Sequence, residues 1–252
     1  MHGPPHLRVA TYNIHKCAGL DRRTSPERIL RVLRELEADI LCLQEVIDAP
    51  HTPAWDQAGF LARGLEGYTS CFGSNRPLHG GGYGNLTLSR LPVLRSANHD
   101  LTHRKREPRG VLQTDLRLDD RTALHVFNIH LGTGFMERRA QAEMLLSDTL
   151  LRQPEMTGPR LLLGDFNEWT RGLATRMLAA EFATFQPRHA MRFPRTFPGV
   201  APVLTLDHMY FDSQLVLESS ELWRSPTALV ASDHLPLVAT LRLARAPLHA
   251  AD

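Results

Sequence analysis

Arg160-Leu161-Leu162-Leu163-Gly164-Asp165-Phe166-Asn167 is an apolar run that stops at two oxygen-bearing side chains. The three leucines predict a strand buried on both faces, and Gly164 lets another backbone or a ligand come close at its end. In extended backbone, Asp165 and Asn167 share one side while Phe166 points into the core. A carboxylate beside an amide oxygen is a hard donor pair, suited to Mg²⁺ or Mn²⁺ and able to orient a water for attack on phosphorus. In isolation the same residues also read as a strand end followed by an Asx turn.

The pattern recurs along the chain. Residues 7–13 are strand-like and end in Tyr12-Asn13, and Ile40-Leu41-Cys42-Leu43 is a second buried strand ending in Gln44-Glu45. Between them Thr24-Ser25-Pro26-Glu27 starts a helix, either as a capping box or with Ser25 as cap and Pro26 at the first helical position. Ile29, Leu30, Leu33 and Leu36 continue it at helical spacing. Past Pro50 the chain loosens into the glycine cluster Gly80-Gly81-Gly82-Tyr83-Gly84, read as a loop before a short strand at 85–89. Strands follow at 93–101, 110–118 and 123–130, the last two forming a hairpin about Asp119-Asp120, and then a helix at 135–150. After the 160–167 strand come a helix at about 172–180, a proline- and arginine-rich loop at 187–202, and strands at 205–211, 215–219 and 235–243. Many strands with three or four helices predict an α+β fold of packed sheets with helices outside.

Composition narrows the classes. A chain of 252 residues, 42% hydrophobic and 22% charged, is ordinarily globular, and a single domain over 1–252 with its core at about 7–243 is expected. A net charge of +2 gives no strong nucleic-acid-binding field. The cations are almost all arginine, since Lys16 and Lys105 are the only lysines. Cys17, Cys42 and Cys71 lack a disulfide or zinc spacing and read as reduced thiols. No stretch has a signal core or the ~20 apolar residues of a membrane span, so a cytoplasmic location is expected.

Five strand-like segments thus end in groups that bind metal, phosphate or a proton: Asn13, Glu45, His130, Asp165 with Asn167, and Asp233-His234 before the last strand. Singly, each has a structural explanation as turn former, solvated end, core histidine or cap. Repeated buried strands ending in polar groups are costly unless those ends converge on one another or on a metal.

Thr11-Tyr12-Asn13-Ile14-His15, Leu43-Gln44-Glu45-Val46, Gly84-Asn85-Leu86-Thr87-Leu88-Ser89-Arg90-Leu91-Pro92, Asn128-Ile129-His130-Leu131, Gly164-Asp165-Phe166-Asn167, Leu206-Asp207-His208 and Ser232-Asp233-His234 resemble, in order, the motifs of the endonuclease/exonuclease/phosphatase superfamily. The resemblance spans residues 7–243 and implies a four-layer α/β/β/α sandwich of two mostly antiparallel sheets. It also implies a Mg²⁺- or Mn²⁺-dependent phosphoesterase, with a phosphodiester as the expected substrate and a phosphomonoester as the alternative. Glu45 resembles the principal metal ligand, with Asn13 and Asp233 on the metal side. Asp165 and Asn167 resemble the pair that positions the attacking water. His234 resembles the histidine at the scissile phosphate, oriented by Asp207, with His130 also at the phosphate. Asn85 is expected to line the cleft. His15-Lys16-Cys17 departs from the small or acidic pair of many family nucleases. Arg104-Lys105-Arg106 and Arg109 offer guanidinium forks for phosphate, Arg109 foremost.

A catalytically silent binding module should have lost Glu45, Asp165, Asn167 or His234, and all are present. A dinuclear zinc hydrolase is disfavoured because, despite thirteen histidines, there is no His-x-His or His-Glu-x-x-His. Nucleic acid is a possible substrate that the net charge does not favour, a lipid headgroup or small phosphodiester is its rival, and no obligate protein partner is evident.

Overall fold

The computed structural model describes residues 6–168, 172–184, 195–199 and 201–244. In chain order the elements are β1 (His6–Asn13), α1 (Pro26–Leu36), β2 (Ile40–Asp48), α2 (Gln57–Gly64), β3 (Thr69–Leu78), β4 (Gly81–Ser89), β5 (Val93–Asp100) and β6 (Gly110–Arg117). They continue with β7 (Ala123–His130), α3 (Phe135–Leu145), β8 (Arg160–Asp165), α4 (Leu173–Ala179), β9 (Ala183–Thr184), β10 (Asp207–Phe211), β11 (Leu215–Leu222), α5 (Ala228–Ala231) and β12 (Leu237–Leu243).

Two six-stranded sheets form, in the orders β3-β4-β2-β1-β12-β11 and β5-β6-β7-β8-β10-β9. Both have the same pattern: the central pair is parallel, β2 with β1 and β7 with β8, and every other pairing is antiparallel. A parallel pair needs a crossover, and α1 and α3 supply the two.

Alternation along the central strands builds the layers. Val9, Ile40 and Cys42 face Leu161, Leu163 and Met209 in the core between the sheets. Their neighbours Ala10, Tyr12, Leu41 and Leu43 face outward onto Ile29 and Leu33 of α1. On the second sheet Leu162 and Phe166 join Ala142, Leu145 and Leu178 of α3 and α4. The leucine run is therefore buried on both faces, and the whole is the expected four-layer sandwich. Ser25 caps α1 by accepting a hydrogen bond from the Arg28 amide at 3.2 Å, with Pro26 in the first turn.

At one end of the sandwich the inter-sheet core turns polar. Gln44 Nε2 donates to Asn128 Oδ1 at 2.8 Å and to Thr11 Oγ1 at 3.1 Å. Asn128 Nδ2 in turn donates to the carbonyls of Leu43 and Leu86 at 3.2 and 3.0 Å, and Asn85 Nδ2 donates to the carbonyls of Gly110 and Asn128. All three amide residues are fully buried.

Several elements differ from the sequence expectation. The glycine cluster is part of β4 itself, the tight turn lies at His79-Gly80, and the preceding stretch is the unforeseen strand β3. Gly84 is needed because its Cβ would lie 1.9 Å from the Gly73 carbonyl oxygen of β3. Alternation does not carry through Asn167: β8 ends at Asp165, and Asn167 has φ 50°. β2 runs on to Asp48 beyond its polar pair, α3 stops at Leu145, and α2 and α5 were not foreseen. Of the 187–202 loop, 187–194 and 200 lie outside the described residues. Among the described residues no helix is long and apolar enough to cross a membrane.

The polar layer is testable by mutation. Asn128→Ala removes its bridging amide and strands its partners, and should cost about 2–4 kcal/mol in urea unfolding. An unchanged midpoint would show that the layer adds no stability.

Candidate active site

The two parallel pairs end at the same place. β1 and β2 bring Asn13 and Glu45 from one sheet, while β7 and β8 bring His130 and Asp165 from the other. In the second sheet His130 pairs in register with Asp165, and Asp165 with Asp207 on β10, so three adjacent strands present these side chains in a row. Gly164 makes the approach possible, for its φ is +152° and a Cβ there would meet the Ile129 carbonyl oxygen at 1.9 Å.

Glu45 reaches the chamber through a bulge. Leu43 pairs with Leu86 and Val46 with Gly84, so Gln44 and Glu45 together oppose Asn85 alone. Glu45 takes φ 59°, which lets Gln44 stay in the inter-sheet layer while Glu45 turns to the site. Asn13 Nδ2 then links the carboxylates, donating to Asp165 Oδ2 at 2.9 Å and Glu45 Oε1 at 3.3 Å.

Asp165 Oδ2 is the focus. His130 Nε2 lies 3.7 Å from it and His234 Nε2 3.8 Å. Asp165 Oδ1 accepts the Asn167 amide at 2.8 Å, and Asn167 Nδ2 donates to the Leu131 carbonyl at 2.9 Å, which fixes the turn after β8. His234 Nδ1 is 2.8 Å from Asp207 Oδ2, the predicted orienting pair. Ser232 Oγ donates to the Asn13 carbonyl at 2.8 Å and so ties the His234 segment to β1. Arg109 Nη1 donates toward the His130 ring, 3.1 Å from Nε2, its Nη2 is 3.0 Å from Glu107, and its buried Nε has no hydrogen-bond partner among the described residues.

The two imidazoles are driven to opposite charge states. Burial and then the Arg109 guanidinium lower His130 to a pKa of about 4, so it is neutral at pH 7. Burial would also lower His234, but the charge and hydrogen bond of Asp207, with Asp165 behind it, raise it to about 10. Burial raises the Asp165 carboxyl above its ordinary range, and the histidines and Asn13 only partly offset this. Burial works against ionisation of Glu45 as well, yet His130, Lys16 and the Asn13 amide hold it at about 2.

Lys16 is the feature that sequence reading missed. Its Nζ sits 2.7 Å from Glu45 Oε2 and 5.9 Å from the Tyr83 ring centre. His15, Lys16 and Cys17 all have positive φ, at 45°, 55° and 59°, which aims the ammonium inward. The turn is held by His15 N on Asn13 Oδ1 at 3.0 Å and Gln57 Nε2 on the Lys16 carbonyl at 2.6 Å. A signal existed: Lys16 is one of two lysines in a chain that otherwise uses arginine. Two other expected residues stand apart from the cluster. Asp233 lies 3.5 Å from His15 Nδ1, and Asn85 is buried in the polar layer with Oδ1 unpartnered among the described residues.

No group of three or more acidic, histidine or cysteine side chains stands ready for a metal ion among the described residues. The ionised Glu45 carboxylate nonetheless fits a hard cation as an oxygen donor, one of its edges resting on the Lys16 ammonium, while Asn13 turns its Nδ2 to the carboxylates and its Oδ1 to the His15 amide.

Carboxylates and imidazoles thus converge where the two sheets of a four-layer sandwich meet. Residues 10–234 match the model of the Endonuclease/Exonuclease/phosphatase family, and the chain belongs to that family of phosphoester hydrolases. It is 33% identical over 255 residues to "Uncharacterized protein YbhP" of Escherichia coli (strain K12), covering 94% of this chain and 96% of that one. The human Nocturnin catalytic domain, solved with a bound sulfate anion, aligns with a TM-score of 0.73 at 24% identity over 95% of this chain and 94% of its own. A Bacteroides thetaiotaomicron mannosyl-6-phosphatase aligns with a TM-score of 0.76 at 17% identity over 93% and 99%. At these identities the two structures share the fold.

The charge state of His234 has a measurable consequence. A raised folded pKa stabilises the native state fully below the unfolded value of about 6.5, and that contribution is lost as pH rises through about 10. NMR titration should show the imidazolium throughout the neutral range, and Asp207→Asn should move its pKa downward. An unmoved pKa would break the link between the two residues.

Proposed function

We propose that this protein is a divalent-metal-dependent phosphodiesterase. The observation that carries the reading is the convergence on Asp165 Oδ2 of a neutral imidazole, an imidazolium and the Asn13 amide. Asp165, its basicity raised by burial, takes the proton of a water attacking phosphorus, and Asn167 holds the turn that aims it. As the new oxygen–phosphorus bond forms and the ester bond opposite breaks, charge builds on the non-bridging oxygens. His234 Nε2–H and the free Nε of Arg109 are the donors that meet it. The ring of neutral His130 lies against the Arg109 guanidinium, with Nη1 3.2 Å from Nδ1 and 3.1 Å from Nε2.

Mg²⁺ or Mn²⁺, held by Glu45 with Asn13 beside it, would supply Lewis-acid stabilisation of the phosphoryl oxygens. Charge balance favours a diester over a monoester. Lys16 is paired with Glu45, Arg109 with Glu107 and His234 with Asp207, so a monoester dianion meets little net positive charge. The substrate class is a phosphodiester, as nucleic acid, lipid headgroup or small molecule, and the near-neutral net charge places duplex DNA last.

A chromogenic phosphodiester should be hydrolysed with Mg²⁺ or Mn²⁺ and not in EDTA, and faster than the matching monoester. Asp165→Asn should lose roughly 10²–10⁴-fold in kcat. Full activity in that variant, or preference for the monoester, would overturn the reading. Lys16 provides a separate check by calorimetry. Because its ammonium occupies a Glu45 oxygen that a cation needs, Lys16→Met should bind Mn²⁺ on the order of tenfold more tightly, the worth of one charge-assisted hydrogen bond. Equal or weaker binding would remove Glu45 Oε2 from the metal assignment.

A further inference from the structure

Beside the site lies a second, differently built surface. The β5–β6 connection and the start of α3 enclose an open cavity of about 750 Å³. Arg104, Lys105 and Arg106 line one wall, and Phe135 and Met136 line the other. The three cations are exposed and form no ion pair with any described residue, whereas Glu107 next to them is taken by Arg76 and Arg109. Phe135 and Met136 are 52% and 59% exposed, on the first turn of a helix where acidic or polar side chains are the favourable choice.

The walls are fixed to each other. Gln141 Oε1 accepts from the Gly132 amide at 2.9 Å and its Nε2 donates to the Leu101 carbonyl at 3.1 Å, one contact on each wall. Glu137 Oε2 accepts from the Gly134 amide, and Arg138 Nη1 donates to the Thr133 carbonyl at 2.6 Å. Both walls grow directly from the site: Arg109 ends one connection and His130 begins the other.

We infer that this surface docks the protein on an anionic phospholipid bilayer, the cations meeting headgroup phosphates while Phe135 and Met136 enter the interface. A patch of unpaired cations beside an exposed apolar pair matches a surface that is negative outside and hydrocarbon just beneath. Single-stranded nucleic acid suits it less, because base stacking needs a series of aromatic faces and the apolar wall offers one ring and a thioether. The inference does not rest on the proposed reaction, since binding is read without turnover.

The test is co-sedimentation of the whole protein, in EDTA, with phosphatidylcholine vesicles containing or lacking phosphatidylglycerol. Binding should occur only with phosphatidylglycerol. It should fall on the order of 100-fold when Arg104, Lys105 and Arg106 are all changed to alanine, and clearly in Phe135→Ser/Met136→Ser. Should either multiple variant fail to fold by circular dichroism, Lys105→Glu and Met136→Glu replace it. No binding to anionic vesicles, or full binding by the Phe135/Met136 variant, overturns the inference. So does a single-stranded oligonucleotide that binds more tightly than the vesicles and is lost in the same variants, which would assign the surface to nucleic acid.

Discussion

The hydrogen bond between Gln44 and Asn128 joins the two sheets where their parallel pairs face each other. Two buried amides are tolerated there because nearly every donor and acceptor is used, and removing either would leave the others unpaired in a medium of low dielectric. Their positions matter as much as their strength. Gln44 immediately precedes Glu45 and Asn128 lies two residues before His130, so locking this pair sets the register of both strands where they reach the candidate site. A sandwich held by leucine contacts alone could slide; directional amide bonds stop that motion next to the site.

Within the chamber so fixed, electrostatics sorts two chemically identical side chains. His130 and His234 both lie near Asp165 Oδ2, at 3.7 and 3.8 Å, yet one is held neutral and the other charged. The difference comes from what stands behind each ring: a guanidinium for His130, a carboxylate for His234. Titratable groups pushed apart in this way divide donor and acceptor roles without any change of residue type. Asp207 is thus more than a tether, because it decides that His234 presents a proton to the site.

Much of this was legible in the chain. Leu161, Leu162 and Leu163 gave a two-sided strand because parallel central strands are buried on both faces, and Asp207 with His234 pair as the motifs implied. The polar strand ends were visible for a physical reason, since buried strands rarely finish in unpaired amides and carboxylates. What stayed hidden depends on backbone that local pattern does not encode. The bulge at Gln44-Glu45 sends two consecutive residues to different tasks, the turn at Asn167 breaks alternation, and β3 reads as loop because its own Gly73, Ser74, Asn75 and Pro77 are turn formers. Lys16 was hidden for the same cause: three successive left-handed residues turn it inward, and nothing in residue type alone announces such a turn.

The candidate site and the proposed docking surface therefore occupy different parts of the fold. His130, Asp165 and Asp207 of the candidate site sit on strand ends whose positions the inter-sheet layer and the register of β7, β8 and β10 determine, leaving little freedom to vary. The connections leaving those ends carry the unpaired charge and exposed apolar surface, and they are anchored by Gln141, Glu137 and Arg138 of α3 without touching the reacting groups. Arg109 joins the two regions, its guanidinium on His130 and its backbone amide 3.3 Å from Thr102 Oγ1 in the same connection. The proposed docking surface and the proposed phosphate site thus share one short stretch of chain, with Arg104–Arg106 and Arg109 in the same β5–β6 connection.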